Sequence, residues 1–438
     1  MNYRESAEHI FLSAIRGVLP EKLIGDLVSI RGSILHIGYN SFDLQKYKNI
    51  YVIGAGKASA ALGHYLENAI GERITGGHII TKYGFCCRLK RIKVTEAGHP
   101  VPDENSFIST GEIVSMADAA AAGDLVICLW SGGGSSLLSD YPAGSSATGI
   151  MFLNDMLVRC GAGIDEINIV RKHVSGVKGG QLARHIWPAE CITIYLSDVT
   201  GDHPDTVASG PTVPDNSTFD EALAVIEKYG LKSDIPSPLL DHIMEGCKGI
   251  IPDTPKKGDP IFGKSFVIMA GNNMMALKSA AREAEKLDLP AFIVTPELAG
   301  ETEAAANRII DTIHWYRNND TVKKPVCLIF GGETTVRVTG DGMGGRNQHL
   351  ALTVSSMIRN IPGITFLSAG TDGNDGNTEM AGAVVDSETY HYAMAMNADI
   401  ERYLAGFDSY SFFKYAGGHI FTGPTMTNVM DIAIVIIA

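Results

Sequence analysis

Six times along this chain a short run rich in valine and isoleucine leads into a glycine-containing turn: NIYVIGAGK, DLVICLWSGGG, CITIYLSDVTG, SFVIMAGNN, PVCLIFGGE and ITFLSAGTDG. Continuous apolar runs of this length suit strands buried on both faces, and the helical patterns between them suit the crossovers that parallel strands require. The fold expected is α/β, built around a mostly parallel sheet. Ligands in such sheets bind beyond the carboxyl ends of the strands, where these turns lie, so six of them suggest a large site between domains. At 438 residues the chain exceeds what one hydrophobic core supports, and two domains follow. The stretch GCKGIIPDTPKKGDPIF, around 245–262, breaks the periodicity with prolines, glycines and lysines, which places the boundary there. The domains are thus read as 1–248 and 260–438.

Composition removes other classes. A formal charge of −13 disfavours a nonspecific grip on nucleic acid or on an anionic membrane, so an anionic substrate needs a local basic pocket. The seven cysteines are odd in number, form no C-x-x-C pair and sit mostly in apolar runs, as reduced thiols in a cytoplasmic protein would. The N-terminal segment carries acids within an amphipathic pattern (Ile10, Phe11, Ala14, Ile15, Val18) and reads as a packing helix rather than a leader. The longest apolar run, IAIVIIA, is too short for a bilayer and suits a buried strand. A soluble protein is expected; self-association into a homo-oligomer is left open.

The first glycine turn, Gly54-Ala55-Gly56-Lys57-Ala58-Ser59, opens a helix, whose N-terminus attracts anions. It is no Walker loop, because Tyr51 stands where the earlier glycine belongs and Ala58 replaces the hydroxyl residue. As a dinucleotide fingerprint it lacks the third glycine (Ser59), and the next strand ends in Lys82 rather than in a ribose-binding acid. Lys57 opposes the helix dipole, a conflict that a bound anion would resolve. In the second turn, Ser131, Gly132, Gly133, Gly134 and Ser135 can form a nest of N–H donors around phosphate oxygens.

Asn168, Arg171, Ser175 and Lys178 recur at spacings of three, four and three, one face of a helix and a candidate anion-facing stripe without matching acids. Asp198 directly follows an apolar strand, placed to orient or deprotonate an attacking hydroxyl or to hold a metal. Its bland alternative is an Asx turn. Further on, Gly332 and Glu333 end a strand, Arg346 and Asn347 open a helix, and Asp372 and Asp375 sit in a glycine-rich turn. Carboxylates there suit magnesium and the arginine suits a phosphoryl group in transfer, although Asp-Gly turns are common by themselves.

At this point the sequence resembles the glycerate kinase family whose C-terminal half is the MOFRL domain. The resemblance rests on GAGKASAAL, AGHPVPDENS, WSGGGSSLL, VRKHVSGVKGG, LSDVTGDHPDTVASGPTVPD, GGETTVRVTGDGMGGRNQHLAL, AGTDGNDGN and TGPTMTNVMD, in the family's order and from about residue 50 onward. It implies a Rossmann-like N-terminal αβα sandwich, a smaller mixed α/β MOFRL domain, ATP with Mg2+ as donor system and D-glycerate as acceptor, with 2-phosphoglycerate as the favoured product. On that reading Lys57, Arg346 and Asp198 are catalytic. Gly54, Gly56, Ser131 to Ser135, Lys178, Gly332, Glu333 and Asn347 bind the nucleotide, and Asp372 and Asp375 hold the metal. Met426, Gly176 and Glu379-Met380 depart from the family's pattern. Some relatives carry the name hydroxypyruvate reductase, which makes an NAD(P)-dependent reductase the rival reading; a nucleotide- or sugar-acid-binding protein without catalysis is the other.

Overall fold

The computed structural model describes residues 2–438. Its chain divides into two compact units, one of residues 23–270 and one of residues 1–22 with 271–438. In the first unit a small antiparallel sheet, β1 (Val28–Arg31), β2 (Ile34–Ile37) and β3 (Asn40–Asp43), precedes the main one. The main sheet contains β4 (Ile50–Ala55), β5 (Gly76–Lys82), β6 (Ile92–Ala97), β7 (Leu125–Trp130), β8 (Glu190–Leu196) and β9 (Ser265–Gly271) in the order β6-β5-β4-β7-β8-β9. The pairs β6-β5, β5-β4, β4-β7 and β7-β8 are parallel. This is the doubly wound order of a Rossmann-like sheet, with its switch point between β4 and β7.

Both faces of that sheet are covered. Ile53, Ile80 and Cys128 pack with Ile113 and Ala117 of the helix Glu104–Ala119. On the other side Ile79 and Leu129 approach Gly63 of the helix Ser59–Ile70. That is why β7 reads as uninterrupted apolar sequence and is buried throughout. A second, all-helical core built on Leu153, Val170, Phe219, Ile226 and Leu239 belongs to the same unit.

The second unit holds β10 (Ala291–Glu301), β11 (Val326–Thr335), β12 (Ile364–Gly370), β13 (Gly382–Asp386), β14 (His419–Ile420) and β15 (Asp431–Ile437), in the order β10-β11-β15-β12-β13-β14. Only β10 and β11 pair in parallel; every other pair is antiparallel. The mostly parallel pattern inferred from the βα runs therefore fails here. The runs PVCLIFGGE and ITFLSAGTDG do form strands, but the buried IAIVIIA strand, β15, lies between them and runs against both.

The division also differs from the boundary read around 245–262. The run SFVIMAG forms β9 at the edge of the first unit's sheet. At the other end of the chain, the helix Tyr3–Gly17 packs on the helix Asn273–Lys286, where Gly17 meets Ser279 and the Ser279 hydroxyl donates to the Ser13 carbonyl at 2.9 Å. Its predicted apolar face is buried as expected. No helix of the described residues is long and apolar enough to cross a membrane.

Candidate active site

Parallel register sets the first group of residues. Ala55 pairs with Trp130, and Trp130 with Tyr195, so the carboxyl ends of β4, β7 and β8 lie side by side. Lys57, the Ser131–Ser135 turn and Asp198 all leave the sheet at that edge. The first two turns are stitched together. The Lys57 amide donates to the Gly132 carbonyl at 2.9 Å and the Ala58 amide to the Ser131 hydroxyl at 3.0 Å, while the Gly56 amide donates to Ile80. Gly56, at φ +139°, admits this contact, since a Cβ there would lie 2.1 Å from the Ser131 hydroxyl oxygen. Its glycine thus serves the approach of a neighbouring turn. The backbone cradle expected of Gly54 and Gly56 is occupied by protein, and Gly54 faces the Leu129 carbonyl in the same way.

The second turn is the more open of the two. Gly133 sits at φ +81°, and a Cβ on it would lie 2.8 Å from His99 Nε2 and 3.6 Å from Cγ of Lys57. That brings His99 of the AGHPVPDENS segment to the site, a residue that pattern reading missed because a lone His-Pro carries no spacing signal. Gly134 opens a one-turn helix, Gly134–Leu137, and its amide is taken by the Ser131 carbonyl. Ala208 packs against it, a methyl 2.6 Å from where a Gly134 Cβ would be. Ala208, Ser209 and Gly210 have φ of +52°, +59° and +61°. Consecutive left-handed residues that are not all glycine are costly, of order 1 kcal/mol or more each, and persist where surroundings impose them. Here the result is a hydroxyl chain: the Ser209 hydroxyl donates to Asn168 Oδ1 at 3.0 Å and lies 2.9 Å from that of Ser135.

The proposed helical stripe is corrected by the structure. The helix Ile164–His173 ends before Ser175 and Lys178, so the four residues do not share a helical face, and the stripe is not solvated. They still converge under the second turn. The Lys178 ammonium donates to the Leu138 carbonyl and the Ser175 hydroxyl to Asp140, whose other oxygen takes the Gly176 amide; Arg171 donates to Asn154 at 2.8 Å. Burial pushes Lys178 down to about 8 against the pull of Asp140, an acid not anticipated for this group. A neighbouring lysine, also unanticipated, is Lys172, buried 3.0 Å from Asp215 and 3.6 Å from Asp205.

The second group lies in the other unit. Arg346, first residue of the helix Arg346–Ile358, grips Asp431 with Nε and with a terminal nitrogen at 2.9 Å, and its other terminal nitrogen meets Glu333 at 2.9 Å. Burial works against its charge, but the two carboxylates hold it well above the ordinary arginine range. At least three of its five donors are thus committed to protein acids. Asp375 is engaged by protein donors on both oxygens. One of its oxygens accepts the Asn347 amide at 3.0 Å, and the other accepts the Gln348 amide at 2.8 Å and the Gln348 side chain at 3.0 Å. It therefore caps this helix from outside, and burial raises it to about 6 even with those amides favouring its charge. The Asn347 side chain accepts from Ser368 at 2.7 Å. Asp372 accepts the Asn374 amide at 3.0 Å, as an Asx turn does. Among the described residues no three His, Cys, Asp or Glu side chains gather as a metal would need. Gly332, at φ +135°, lies against the Leu298 backbone. Met426, a departure from the expected glycine, sits at φ +62°, where glycine has the advantage.

A family model described as a domain of unknown function, DUF4147, matches residues 6–244, and the MOFRL family model matches residues 326–431. The chain is 37% identical to a glycerate 2-kinase of Pyrococcus horikoshii, over 100% of this chain and 98% of that one. It is 39% identical to a D-glycerate 2-kinase of Thermotoga maritima, over 88% and 90%. The crystal structure of a glycerate kinase from Thermotoga maritima superposes with a TM-score of 0.83 at 36% identity, covering 100% of this chain and 99% of that one. By sequence along its whole length and by fold, the chain belongs to the glycerate 2-kinase family.

Proposed function

We propose that the protein transfers the γ-phosphoryl group of ATP to the 2-hydroxyl of D-glycerate, giving 2-phosphoglycerate and ADP. The observation that carries this reading is the identity of 37% and 39% to glycerate 2-kinases over nearly the full chain. It is supported by Lys57, the Ser131–Ser135 turn and Asp198 leaving one edge of a parallel sheet together. In the reaction the substrate hydroxyl oxygen forms a bond to the γ-phosphorus, the bond from that phosphorus to the bridging oxygen breaks, and ADP leaves with the electron pair. Asp198 orients the hydroxyl and takes its proton. Lys57 and the donors of the second turn neutralise charge that spreads over the transferring oxygens, which is where most catalysis of phosphoryl transfer resides. Lys178 and Arg171 add positive potential from beneath the turn. Arg346, committed to Asp431 and Glu333, acts as a positioning residue rather than as a direct ligand of the phosphoryl group.

Magnesium, if bound, would supply positive charge that screens the donor's phosphates. The acids of the parallel-sheet edge would fit an ion carried in on those phosphates and held by a carboxylate such as Asp198, because magnesium seldom uses an all-protein cage. The reductase reading is disfavoured by the first turn, whose amides at 56, 57 and 58 already bond to protein instead of facing a pyrophosphate. The test is incubation with ATP, magnesium and D-glycerate, resolving 2- from 3-phosphoglycerate, beside a reaction with NADH and hydroxypyruvate. The 2-phosphate alone is expected; NADH oxidation without a phosphorylated product would overturn the proposal.

A further inference from the structure

Three side chains beside the second glycine turn of the first unit fix the direction of one proton. Asn168 and Ser209 are buried, and Ser135, in the one-turn helix Gly134–Leu137, is partly exposed. The Ser209 hydroxyl donates to Asn168 Oδ1 at 3.0 Å, and a hydroxyl has a single proton to give. In its 2.9 Å contact with Ser135 the Ser209 oxygen therefore accepts, and the Ser135 hydroxyl donates. No other hydrogen bond engages the Ser135 side chain among the described residues. The backbone holds Ser209 in place: it stands at φ +59°, its carbonyl takes the Gly179 amide at 2.9 Å, and the Gly210 carbonyl takes the Gly180 amide at 2.7 Å. With its proton turned inward, the Ser135 oxygen has only lone pairs to offer a ligand.

Ionised phosphate and carboxylate oxygens likewise offer only lone pairs, so this hydroxyl gains nothing from the nucleotide's phosphates, the role the resemblance gives it. It suits a ligand group that donates. D-Glycerate has two such groups, its hydroxyls. The reacting one is directed to Asp198, on the loop after β8, the strand beside β7, and the other remains to give its proton to Ser135. We propose that Ser135 receives the non-reacting 3-hydroxyl of D-glycerate, with Ser209 and Asn168 as positioning residues that keep its lone pairs toward the substrate. The site then rejects a 2-hydroxy acid that carries a methyl group at that carbon, because Ser135 is left without its donor. The proposal rests on the kinase reading for the identity of the acceptor and for the role of Asp198.

The experiment compares D-glycerate as substrate with D-lactate, which lacks the 3-hydroxyl, as competitive inhibitor. Ser135→Ala should raise the KM for D-glycerate about tenfold, as loss of one hydrogen bond implies, with kcat nearly kept. The Ki of D-lactate and the KM for ATP should hold. Asn168→Leu takes the acceptor from Ser209 and frees the Ser135 proton to turn outward, so it should act in the same direction. Asn168→Asp, which keeps an acceptor, should keep the wild-type preference. Equal weakening of D-glycerate and D-lactate in Ser135→Ala, or a rise confined to the KM for ATP, would overturn the assignment while product formation leaves the kinase reading intact. Should the wild type form no phosphoglycerate, calorimetric titration with the two acids still decides. A preference for glycerate that Ser135→Ala loses supports the contact; no preference in the wild type, or one that the variant keeps, ends it.

Discussion

At the carboxyl edge of the parallel sheet, glycine turns press against one another, three successive residues sit in left-handed backbone, and lysines are buried beneath. At the head of the helix Arg346–Ile358, an equally glycine- and acid-rich sequence does ordinary structural work: Asp375 satisfies two orphan amides and Asp431 anchors an arginine. Both regions look alike as glycine-rich strings dotted with polar residues. The difference lies in where the strong polar groups find partners. In the second region helix amides and one arginine engage the carboxylates, whereas in the first the cations and hydroxyls are collected from distant segments around a turn, which is costly unless a ligand is to be met there.

The sharpest way to break that contrast is Lys57→Ala. Turnover should fall by about a thousandfold with thermal stability nearly unchanged, as expected for a charge aimed at a transition state. Near-normal kcat in a folded variant would remove Lys57 from the chemistry. Asp375→Ala should do the opposite, costing about 2 kcal/mol of stability through loss of the cap and leaving amides unsatisfied. The magnesium concentration giving half-maximal rate should stay put; a large rise would restore Asp375 as a metal ligand and erase the distinction drawn here.

A third expectation concerns pH. Lys178 has been lowered from 10.5 to about 8, so the folded protein holds its proton less tightly than the unfolded chain does. Its contribution to stability is present above pH 10.5 and is lost as pH falls through 8, which means the melting temperature should gain from this group between those values. Comparing melting curves across that window for the wild type and Lys178→Met should show the upward component disappear in the variant. The smallest effect is Met426→Gly, which relieves a positive φ of +62° and should stabilise by about 1 kcal/mol, read as a modest rise in melting temperature. No rise would mean that the methionine side chain recovers the strain through its contacts.

Much of the first unit was legible because its signals are local. A buried parallel strand announces itself as an apolar run, and a turn at its end needs glycine wherever chains meet closely. The second unit's topology was not legible, since nothing near IAIVIIA says that it pairs with β11 and β12, which are remote in sequence. The stripe from Asn168 to Lys178 shows a related limit. Its spacing looked helical, but the helix ends at His173, and the residues meet only because Asp140, Leu138 and Ser209 come from elsewhere to receive them. Asp375 could be read either as a ligand or as a turn residue, and nothing in its own segment says that it also accepts two amides from the head of a helix about thirty residues earlier.

The order of segments has a consequence for biosynthesis. The helix 3–17 is made before the 23–270 unit, yet its packing partner, the helix 273–286, is made only after the whole of that unit. The strand at 431–437 comes later still and forms the middle of its sheet, so β11 and β12 wait with open edges until it arrives. One half of the molecule can condense during translation, while the other must keep an amphipathic helix and two strand edges from engaging wrong neighbours in the meantime. Nascent-chain arrest after residue 270 should therefore yield a protease-resistant core that excludes the N-terminal helix, and arrest before residue 431 should leave the remainder digestible.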